Sequence, residues 1–296
     1  MSALSLFRFV AGHPLNAGQR VQALLRLARW QLGSRLLAGD VVHDWVNGAK
    51  FLVRSGETGL TGNVYAGLQE FAEMAYLLHV LRPEDLFVDV GANVGSYTLL
   101  ACAAVRARGV AIEPVPATYH RLQENLHLNH LESSVQSFNI AVGAAAGSLR
   151  FSGDMDVGNR VLTDGEVREG GLCIPVTTLD LLLKDQSPAL IKIDVEGYES
   201  PVVAGAEQTL RNASLHSVVM ELNGSGKKFG FDEGRVFEAM ADHGFGAYSY
   251  LPGRRELRED EAGQKRTENT IFVRDLAAVR ARLKAAPAFS VNGRQV

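Results

Sequence analysis

The stretch LFVDVGANVGS, residues 86–96, links a short apolar run to a glycine turn. Its first five residues are apolar except Asp89, which is typical of a strand buried on both faces of a parallel sheet. Gly91 and Gly95 allow a tight turn and a close approach of a ligand to the backbone, and the helix expected next offers free N–H groups. Since ligands of open α/β sheets bind beyond the carboxyl ends of the strands, this turn is a candidate binding site.

Strand and helix patterns alternate downstream of the turn, which predicts an α/β domain with a mostly parallel, doubly wound sheet and helices on both faces. A hairpin, Ser148–Ser152 with Leu172–Val176, interrupts the order, and Gly153–Gly171 between its arms is predicted to be an exposed loop. Seven strands are predicted, the last two as an antiparallel addition, at Leu86–Val90, Gly109–Ile112, Val135–Val142, Leu190–Val195, Ser217–Leu222, Gly246–Leu251 and Asn269–Val273. Helices are predicted near residues 96–107, 115–130, 177–184, 199–212 and 232–243.

An extension precedes this domain. Residues 41–64 alternate as a β hairpin does, and a helix is expected over Gln69–Leu81, because Pro83 cannot continue it. We therefore predict three segments: an N-terminal helical and β-hairpin extension over residues 1–60, the main domain over 61–274, and a C-terminal helix with a loose tail over 275–296.

The extension is basic, with five arginines and no acid before Asp40. Residues 19–36 have helical periodicity. Such a helix either packs across the main domain, as a lid, or makes weak peripheral contact with an anionic membrane surface; we favour packing, because one short helix binds a membrane weakly. The residues expected near one face of this helix are Val21, Leu24, Leu25, Leu27 and Trp30.

The composition is that of an ordinary globular protein. The 296 residues are 46% hydrophobic, enough for a sizeable core, and the net charge of −3 gives no general attraction to nucleic acid. No run approaches the roughly 20 apolar residues that span a bilayer, and no signal peptide is evident, so we expect a cytoplasmic protein without a transmembrane segment. Cys102 and Cys173 lack metal-site spacing and are expected to be small buried hydrophobes.

An acid supports an adenosine cofactor at the glycine turn. Glu113 ends the second strand, 18 residues after Gly95, where it can accept hydrogen bonds from both ribose hydroxyls. A nicotinamide site with G-x-G-x-x-G would need glycines at Asn93 and Ser96, and neither Tyr-x-x-x-Lys nor a Gly-Lys-Ser/Thr phosphate loop is present. The acid Asp89 before the turn suits a cofactor with an ammonium group and no pyrophosphate, which is S-adenosylmethionine (SAM).

Four stretches then carry a family resemblance: FVDVGANVGSYT (87–98), IEP (112–114), NIAVG (139–143) and especially IKIDVEGYE (191–199). Together they resemble the FkbM-type SAM-dependent methyltransferases over roughly residues 60–250. The resemblance implies a seven-stranded class I methyltransferase sheet, Rossmann-like in type, and O-methylation, often of sugar or polyketide hydroxyls. By this likeness the glycine turn would hold the methionine of SAM, Glu113 its ribose and residues 139–141 its adenine. The expected cofactor contacts are Asp89, Gly91, Ala92, Asn93, Gly95, Ser96, Glu113, Pro114, Asn139, Ile140 and Ala141.

Acids at the ends of the fourth and fifth strands suggest the acceptor site. Asp194, Glu196 and Glu221 are the candidate catalytic residues, because a hydroxyl becomes a good nucleophile only on losing its proton. We expect Asp194 and Glu196 to face different sides; Lys192 could partner Asp194, and Glu196 could instead cap the next helix. Tyr198 and Asn223 are expected to bind the acceptor.

Neither a metal site nor a role for the histidines is predicted. Asp194 and Glu221 could hold a divalent metal, but the sequence shows no compact carboxylate cluster, so no metal is predicted. The histidines His120, His127 and His130 are expected on an exposed helix face. The sequence thus predicts SAM-dependent O-methylation of a small molecule, a sugar, glycan or polyketide-like acceptor, with no nucleic-acid partner. The alternatives are a catalytically silent SAM-fold binding module and, less favoured, an NAD(P)-dependent oxidoreductase.

Overall fold

A computed structural model describes residues 3–36, 39–54, 60–151, 161, 171–260 and 269–296. Its strands are β1 Val41–Asp44, β2 Lys50–Val53, β3 Leu86–Val90, β4 Arg108–Ile112, β5 Val135–Phe138, β6 Ala141–Val142, β7 Gly147–Phe151, β8 Leu172–Thr177, β9 Leu190–Ile193, β10 Ser217–Glu221, β11 Gly246–Leu251, β12 Glu256–Glu259, β13 Asn269–Val273, β14 Ser290–Val291 and β15 Arg294–Gln295. Its α-helices are α1 Ala3–Gly12, α2 Arg20–Leu36, α3 Thr61–Ala66, α4 Phe71–Val80, α5 Ser96–Leu99, α6 Pro116–Leu128, α7 Leu179–Leu182, α8 Glu199–Ala204, α9 Glu207–Arg211, α10 Glu233–Asp242 and α11 Leu276–Lys284.

The central sheet has the order β12-β11-β13-β10-β9-β3-β4-β5. Strands β5, β4, β3, β9 and β10 run parallel, and β13 enters antiparallel between β10 and β11. The α/β class I methyltransferase arrangement is confirmed, with its reversal of strand order between β3 and β9. One strand exceeds the seven predicted: β12 lies between the last two of them in the chain and pairs with β11.

Both faces of the sheet are covered by helices. Phe87, Leu190 and Val219 point into one hydrophobic cluster, to which α4, α5 and α6 contribute. Their strand neighbours, such as Val88 and Ile191, point into a second cluster on the opposite face, which includes residues of α7 to α10. This alternation follows from the two-residue period of a strand. It explains why the strands read as continuous apolar runs.

Several predicted elements are shorter than expected. The strand predicted over Val135–Val142 divides after Phe138, and its last two residues join β7 and β8 in a separate three-stranded sheet. The helix predicted over residues 199–212 is two helices, α8 and α9, since the carbonyl of Gly205 accepts a hydrogen bond from Asp180 of α7 instead. Of the predicted exposed loop Gly153–Gly171, residues 153–160 and 162–170 lie outside the described part, and Val161 is buried.

The N-terminal extension packs on the sheet through its inner surface. Val10, Leu15 and Ala23 are buried in the same cluster as Phe87. Arg26 of α2 donates to the side chain of Asn16 and to a backbone carbonyl of α3. The predicted hairpin is confirmed as β1 and β2. The predicted inner face of α2 is wrong at two positions, because Val21 and Leu25 are exposed while Leu24, Leu27 and Trp30 pack against the core.

The C-terminal tail, the two cysteines and the histidines can be compared with their predicted positions. The expected loose tail is wrong, since Phe289 and Val291 are buried and the tail ends in the hairpin β14–β15. Cys102 is buried as predicted, but Cys173 is exposed, because its side of β8 does not face a core. The three histidines are exposed as expected, but His130 lies beyond the end of α6 at Leu128. Among the described residues, no helix is both long and apolar enough to cross a bilayer. The segment boundaries at residues 60 and 274 stay predictions.

Candidate active site

The glycine turn after β3 is hydrogen-bonded to the end of β4 and packs against the end of β9. The N–H groups of Gly91 and Ala92 both donate to the carbonyl of Ile112 at the end of β4, at 2.9 Å. Gly91 has φ +80°, and a Cβ atom built on it would lie 1.9 Å from the carbonyl oxygen of Asp194. Glycine is therefore required at residue 91 because the end of β9 comes so close. The prediction from the sequence was that a ligand would come close there.

A cavity of about 110 Å³, open to solvent, lies beside this turn at the carboxyl ends of β3, β4 and β9. One part of its lining is apolar and another is acidic. The lining residues are Val90, Gly91, Asn93, Ile112, Glu113, Pro114, Thr118, Ile140, Ala141, Val142, Phe151, Val161, Asp194, Val195, Glu196 and Tyr198.

Glu113 is the acid of the cavity nearest the glycine turn. Its carboxylate accepts the N–H of Asn93 at 3.0 Å and that of Val115 at 2.9 Å. The side chain is buried, and burial raises its pKa to about 7 despite these two donors. One loop N–H that the sequence argument left free for a ligand is thus taken by Glu113, whose position is fixed before any ligand binds.

The predicted cofactor residues separate into two groups. Six line the cavity: Gly91, Asn93, Glu113, Pro114, Ile140 and Ala141. Five are not among the lining residues: Asp89, Ala92, Gly95, Ser96 and Asn139. Asn139 supports the wall from outside the lining. The side-chain amide of Asn139 donates to the carbonyls of Glu113 and Pro114, both at 2.9 Å.

Asp89 also belongs to the supporting layer. Its carboxylate accepts the Thr98 hydroxyl at 2.6 Å, which ties the end of β3 to α5. Complete burial raises the pKa of Asp89 to about 6, although Thr98 and the Lys192 ammonium oppose the shift. The carboxylate is among the buried polar groups and is not part of the cavity lining.

Three carboxylates meet where β9 and β10 end. Asp194, Glu196 and Glu221 each place an oxygen within 4.8 Å of the other two, and we call them the acid cluster. The prediction that Asp194 and Glu196 face different sides is wrong. The strand ends at Ile193, and Glu196 has φ +55°, a left-handed conformation that turns the chain back on itself.

Lys192 is the counter-ion of this cluster. Its Nζ lies 2.8 Å from a carboxylate oxygen of Asp194, and its side chain is 3% exposed. Burial by itself lowers the pKa of Lys192, but the carboxylates of Asp194, Glu70 and Asp89 raise it well above its ordinary value. The ammonium also lies 4.6 Å from the centre of the Tyr97 ring. The predicted Lys192–Asp194 pair is confirmed.

Asp194 and Glu221 differ in protonation: the pKa of Asp194 is lowered, and that of Glu221 is raised. Burial opposes ionisation of Asp194, but the Lys192 ammonium outweighs it and lowers the pKa of Asp194. Burial, together with the charges of Asp194 and Glu196, raises the pKa of Glu221 to about 8, and the two side chains share a hydrogen bond. At neutral pH the pair therefore holds one proton, mainly on Glu221, beside an ionised Asp194.

The loop after β9, which carries Asp194 and Glu196, is held in place by the buried acid Glu199. Glu199, which is 2% exposed, accepts the N–H groups of Val195 and Gly197 at 3.2 and 3.1 Å. Burial raises the pKa of Glu199 to about 7. The alternative role considered for Glu196, capping the next helix, is wrong: α8 has no side-chain cap, and Glu196 lies in the acid cluster.

The two predicted acceptor ligands differ in position. Tyr198 lines the cavity and packs edge-on against Phe229 and Phe231. Asn223 is exposed and outside the lining; its side chain accepts the N–H of Ser225, where a short 3-10 turn begins.

Sequence reasoning missed part of the site. Glu70 accepts the Tyr97 hydroxyl and the Asn269 amide, so residues far apart in the chain complete the surroundings of Lys192. Phe151 and Val161 close the apolar wall from the three-stranded sheet. No local motif marks these residues, because only the tertiary fold brings them here.

The acid cluster also corrects the metal argument. The sequence showed no compact carboxylate group, yet three carboxylate oxygens meet here, the ligand type that Mg²⁺ and Ca²⁺ bind. Asp194 already has Lys192 as a cationic partner. The cluster is therefore chemically able to hold a divalent ion, but its charge is partly neutralised without one.

Comparison with known proteins agrees with this geometry. Residues 89–246 match the model of the methyltransferase FkbM domain. The hexuronic acid methyltransferase AglP of Haloferax volcanii is 27% identical over 178 residues, which cover 59% of this chain and 70% of AglP. Methyltransferase sdnD of Sordaria araneosa is 26% identical over 172 residues, 47% of this chain and 66% of its own.

Solved structures are more distant. A crystal structure of methyltransferase FkbM from Methylobacillus flagellatus aligns with a TM-score of 0.44 and 15% identity, covering 65% of this chain and 44% of that longer chain. The family model, in contrast, covers more than half of the present chain and spans the glycine turn, Glu113 and the acid cluster. The chain belongs to the FkbM methyltransferase family.

Proposed function

We propose that this methyltransferase transfers a methyl group from SAM to a hydroxyl of a saccharide or related small molecule. The observation that carries the proposal is the shared cavity: Glu113, an apolar wall and the acids Asp194 and Glu196 line one space at the reversal of strand order. The similarity to AglP, a hexuronic acid methyltransferase, supports a sugar acceptor. A polyketide-like alcohol is the second acceptor class.

The lining fits SAM in its chemistry. Glu113 offers carboxylate oxygens to ribose hydroxyls, and Ile112, Ile140 and Ala141 offer an apolar wall to the adenine ring. The loop at Gly91 and Asn93 would hold the methionine part. When bound, SAM supplies a methyl group that is already activated on a sulfonium.

The chain then has to position the acceptor and take up its proton. The ion pair with Lys192 keeps Asp194 ionised and oriented, so its carboxylate can accept a hydrogen bond from the acceptor hydroxyl. Holding that oxygen in line with the methyl group can supply several kcal/mol of the barrier reduction. The hydroxyl proton passes to the acid cluster as the new O–CH₃ bond forms.

The test is methyl transfer from labelled SAM to a panel of free sugars, hexuronic acids, sugar nucleotides and polyketide alcohols. Equilibrium binding of SAM and NADH separates the alternatives: a silent module binds SAM without turnover, and an oxidoreductase binds NADH. The predicted cytoplasmic location and absence of a nucleic-acid partner stay predictions.

Asp194→Asn tests the catalytic assignment. The amide keeps the shape of the side chain but cannot accept a proton, so kcat should fall by about 10²–10⁴-fold. SAM affinity should stay within a few-fold of the parent. Glu196→Gln is the control for a nearby charge and should lose less activity.

Two results contradict the assignment. A parallel loss of kcat and SAM affinity would mean that Asp194 shapes the cofactor site. A kcat within about threefold of the parent would place the base elsewhere. Circular dichroism accompanies both measurements, because the variant leaves buried Lys192 with a neutral partner.

A further inference from the structure

The large exposed hydrophobic side chains of this protein are concentrated on the extension. Nine such side chains are exposed in the described part of the chain, and six of them lie in α1 and α2. The remaining three are scattered over other elements, as isolated exposed hydrophobics usually are. The six are Leu4, Phe7, Val21, Leu25, Leu32 and Leu36.

On α2 these residues form a continuous outer stripe. Val21, Leu25, Leu32 and Leu36 recur at spacings of four, seven and four residues, which keeps them on one face of a helix. They are 53–85% exposed. Ala23 is fully buried on the opposite face. The inner face therefore accounts for the packing of α2, and the outer stripe stays exposed within the part of the chain that the structure describes.

The charge around the stripe has one sign. Arg8, Arg20, Arg29 and Arg35 are exposed, and no acid precedes Asp40, although the whole chain has a net charge of −3. At about 100° per residue, Arg29 lies on one side of the stripe and Arg35 on the other. The stripe and its flanking arginines thus present apolar and basic groups to the same side; we call this the outer face of α2.

We propose that the outer face of α2 binds the surface of an anionic lipid membrane. A helix with apolar residues bordered by arginines lies in the interface, where leucines enter the acyl boundary and guanidinium groups meet phosphates. A second copy fits less well. A two-fold contact would bring the same basic face against itself without an acid to neutralise it. This inference is independent of methyl transfer.

Vesicle co-sedimentation of the full chain tests the proposal. Vesicles of phosphatidylcholine alone are compared with vesicles of phosphatidylcholine and phosphatidylglycerol, at low and high salt. The parent should bind the anionic vesicles and lose this binding as salt is raised. Arg29→Gln with Arg35→Gln should weaken binding about 25-fold, since each arginine near an anionic surface contributes about fivefold.

The apolar part has a matched control. Leu25→Gln with Leu32→Gln should weaken binding about tenfold or more, because both side chains would enter the membrane interface. Leu181→Gln changes the same residue type at 62% exposure on α7 and should leave binding unchanged. All changed positions are on the surface, so folding should survive, and circular dichroism checks it.

Three results would overturn the proposal. The first is no binding of the parent to anionic vesicles, and the second is equal binding to neutral ones. The third is self-association of the parent in sedimentation equilibrium that Leu25→Gln with Leu32→Gln removes, because the stripe would then belong to a second copy.

Discussion

Glu113 shows how a binding residue is positioned by the protein itself. Its two backbone donors come from the glycine turn and from the start of α6, so the carboxylate joins both loops. A change at this residue therefore affects loop geometry as well as ligand contact. Glutamine is the conservative test, since its carbonyl can still accept one of the N–H groups.

Glu113→Gln should weaken SAM binding by about 1–3 kcal/mol, the usual size of a hydrogen bond to a charged group. Isothermal titration calorimetry measures it, and Glu256→Gln on the edge strand β12 is the control. Unchanged SAM affinity in a folded Glu113→Gln variant would remove the ribose assignment.

The Asp194–Glu221 pair predicts a pH dependence. Since burial and neighbouring charges raise the pKa of Glu221 to about 8, the pair carries one proton below this pH and none above it. The doubly ionised pair is the stronger proton acceptor, so kcat at saturating SAM should rise with pH and level off above about pH 8.

Glu221→Gln removes this ionisation and should remove the part of the kcat profile that rises toward pH 8. Values of kcat for the parent and for Glu221→Gln, measured between pH 6 and about 9.5, check this dependence. A parent profile that is flat, or a limb that survives in Glu221→Gln, would contradict the shared-proton assignment.

At the scale of elements, sequence patterns predicted the features that depend on residues close together in the chain. The β3 turn, Glu113 and the alternation of strands and helices follow from apolar periods and glycine positions. The left-handed turn at Glu196 did not follow, because an extended-strand argument fails once the strand ends at Ile193. The acid cluster joins two strands whose adjacency is a tertiary property.

Gly91 shows the same limit, because its neighbour is a strand distant in sequence. Gly91→Ala combines a positive φ with a contact of 1.9 Å to the carbonyl of Asp194. It should lower the free energy of unfolding by about 2 kcal/mol or more and weaken SAM binding as well. Chemical denaturation and calorimetry measure the two effects.

Gly147→Ala is the matched control, because nothing lies within 4 Å of the added atom. It should be neutral or stabilise the chain by up to about 1 kcal/mol. Equal effects of the two substitutions would show that β3 and β9 do not meet as described.

At the scale of the whole molecule, the extension and the sheet share one hydrophobic cluster. Periodicity indicated that residues 19–36 form a helix, but it could not tell which face turns inward. Both faces of α2 carry apolar residues, and the choice depends on the surface presented by the rest of the protein. The same ambiguity led to the wrong assignment of Val21 and Leu25.

The shared cluster predicts cooperative unfolding. Leu15→Ala, in the buried turn between α1 and α2, should lower the global free energy of unfolding by about 2–4 kcal/mol in a single transition. Leu4→Ala, the same change at 58% exposure, should stay within about 0.5 kcal/mol of the parent. A separate early transition in Leu15→Ala would mean that the extension unfolds independently.

The acidity of the cavity also bears on product release. In the proposed reaction these walls would face a sulfonium cation before transfer and a neutral thioether after it. Asp194 and Glu196 would attract the cation and would find no net charge to attract in the thioether form. These two acids would therefore hold the fresh cofactor more strongly than the spent one.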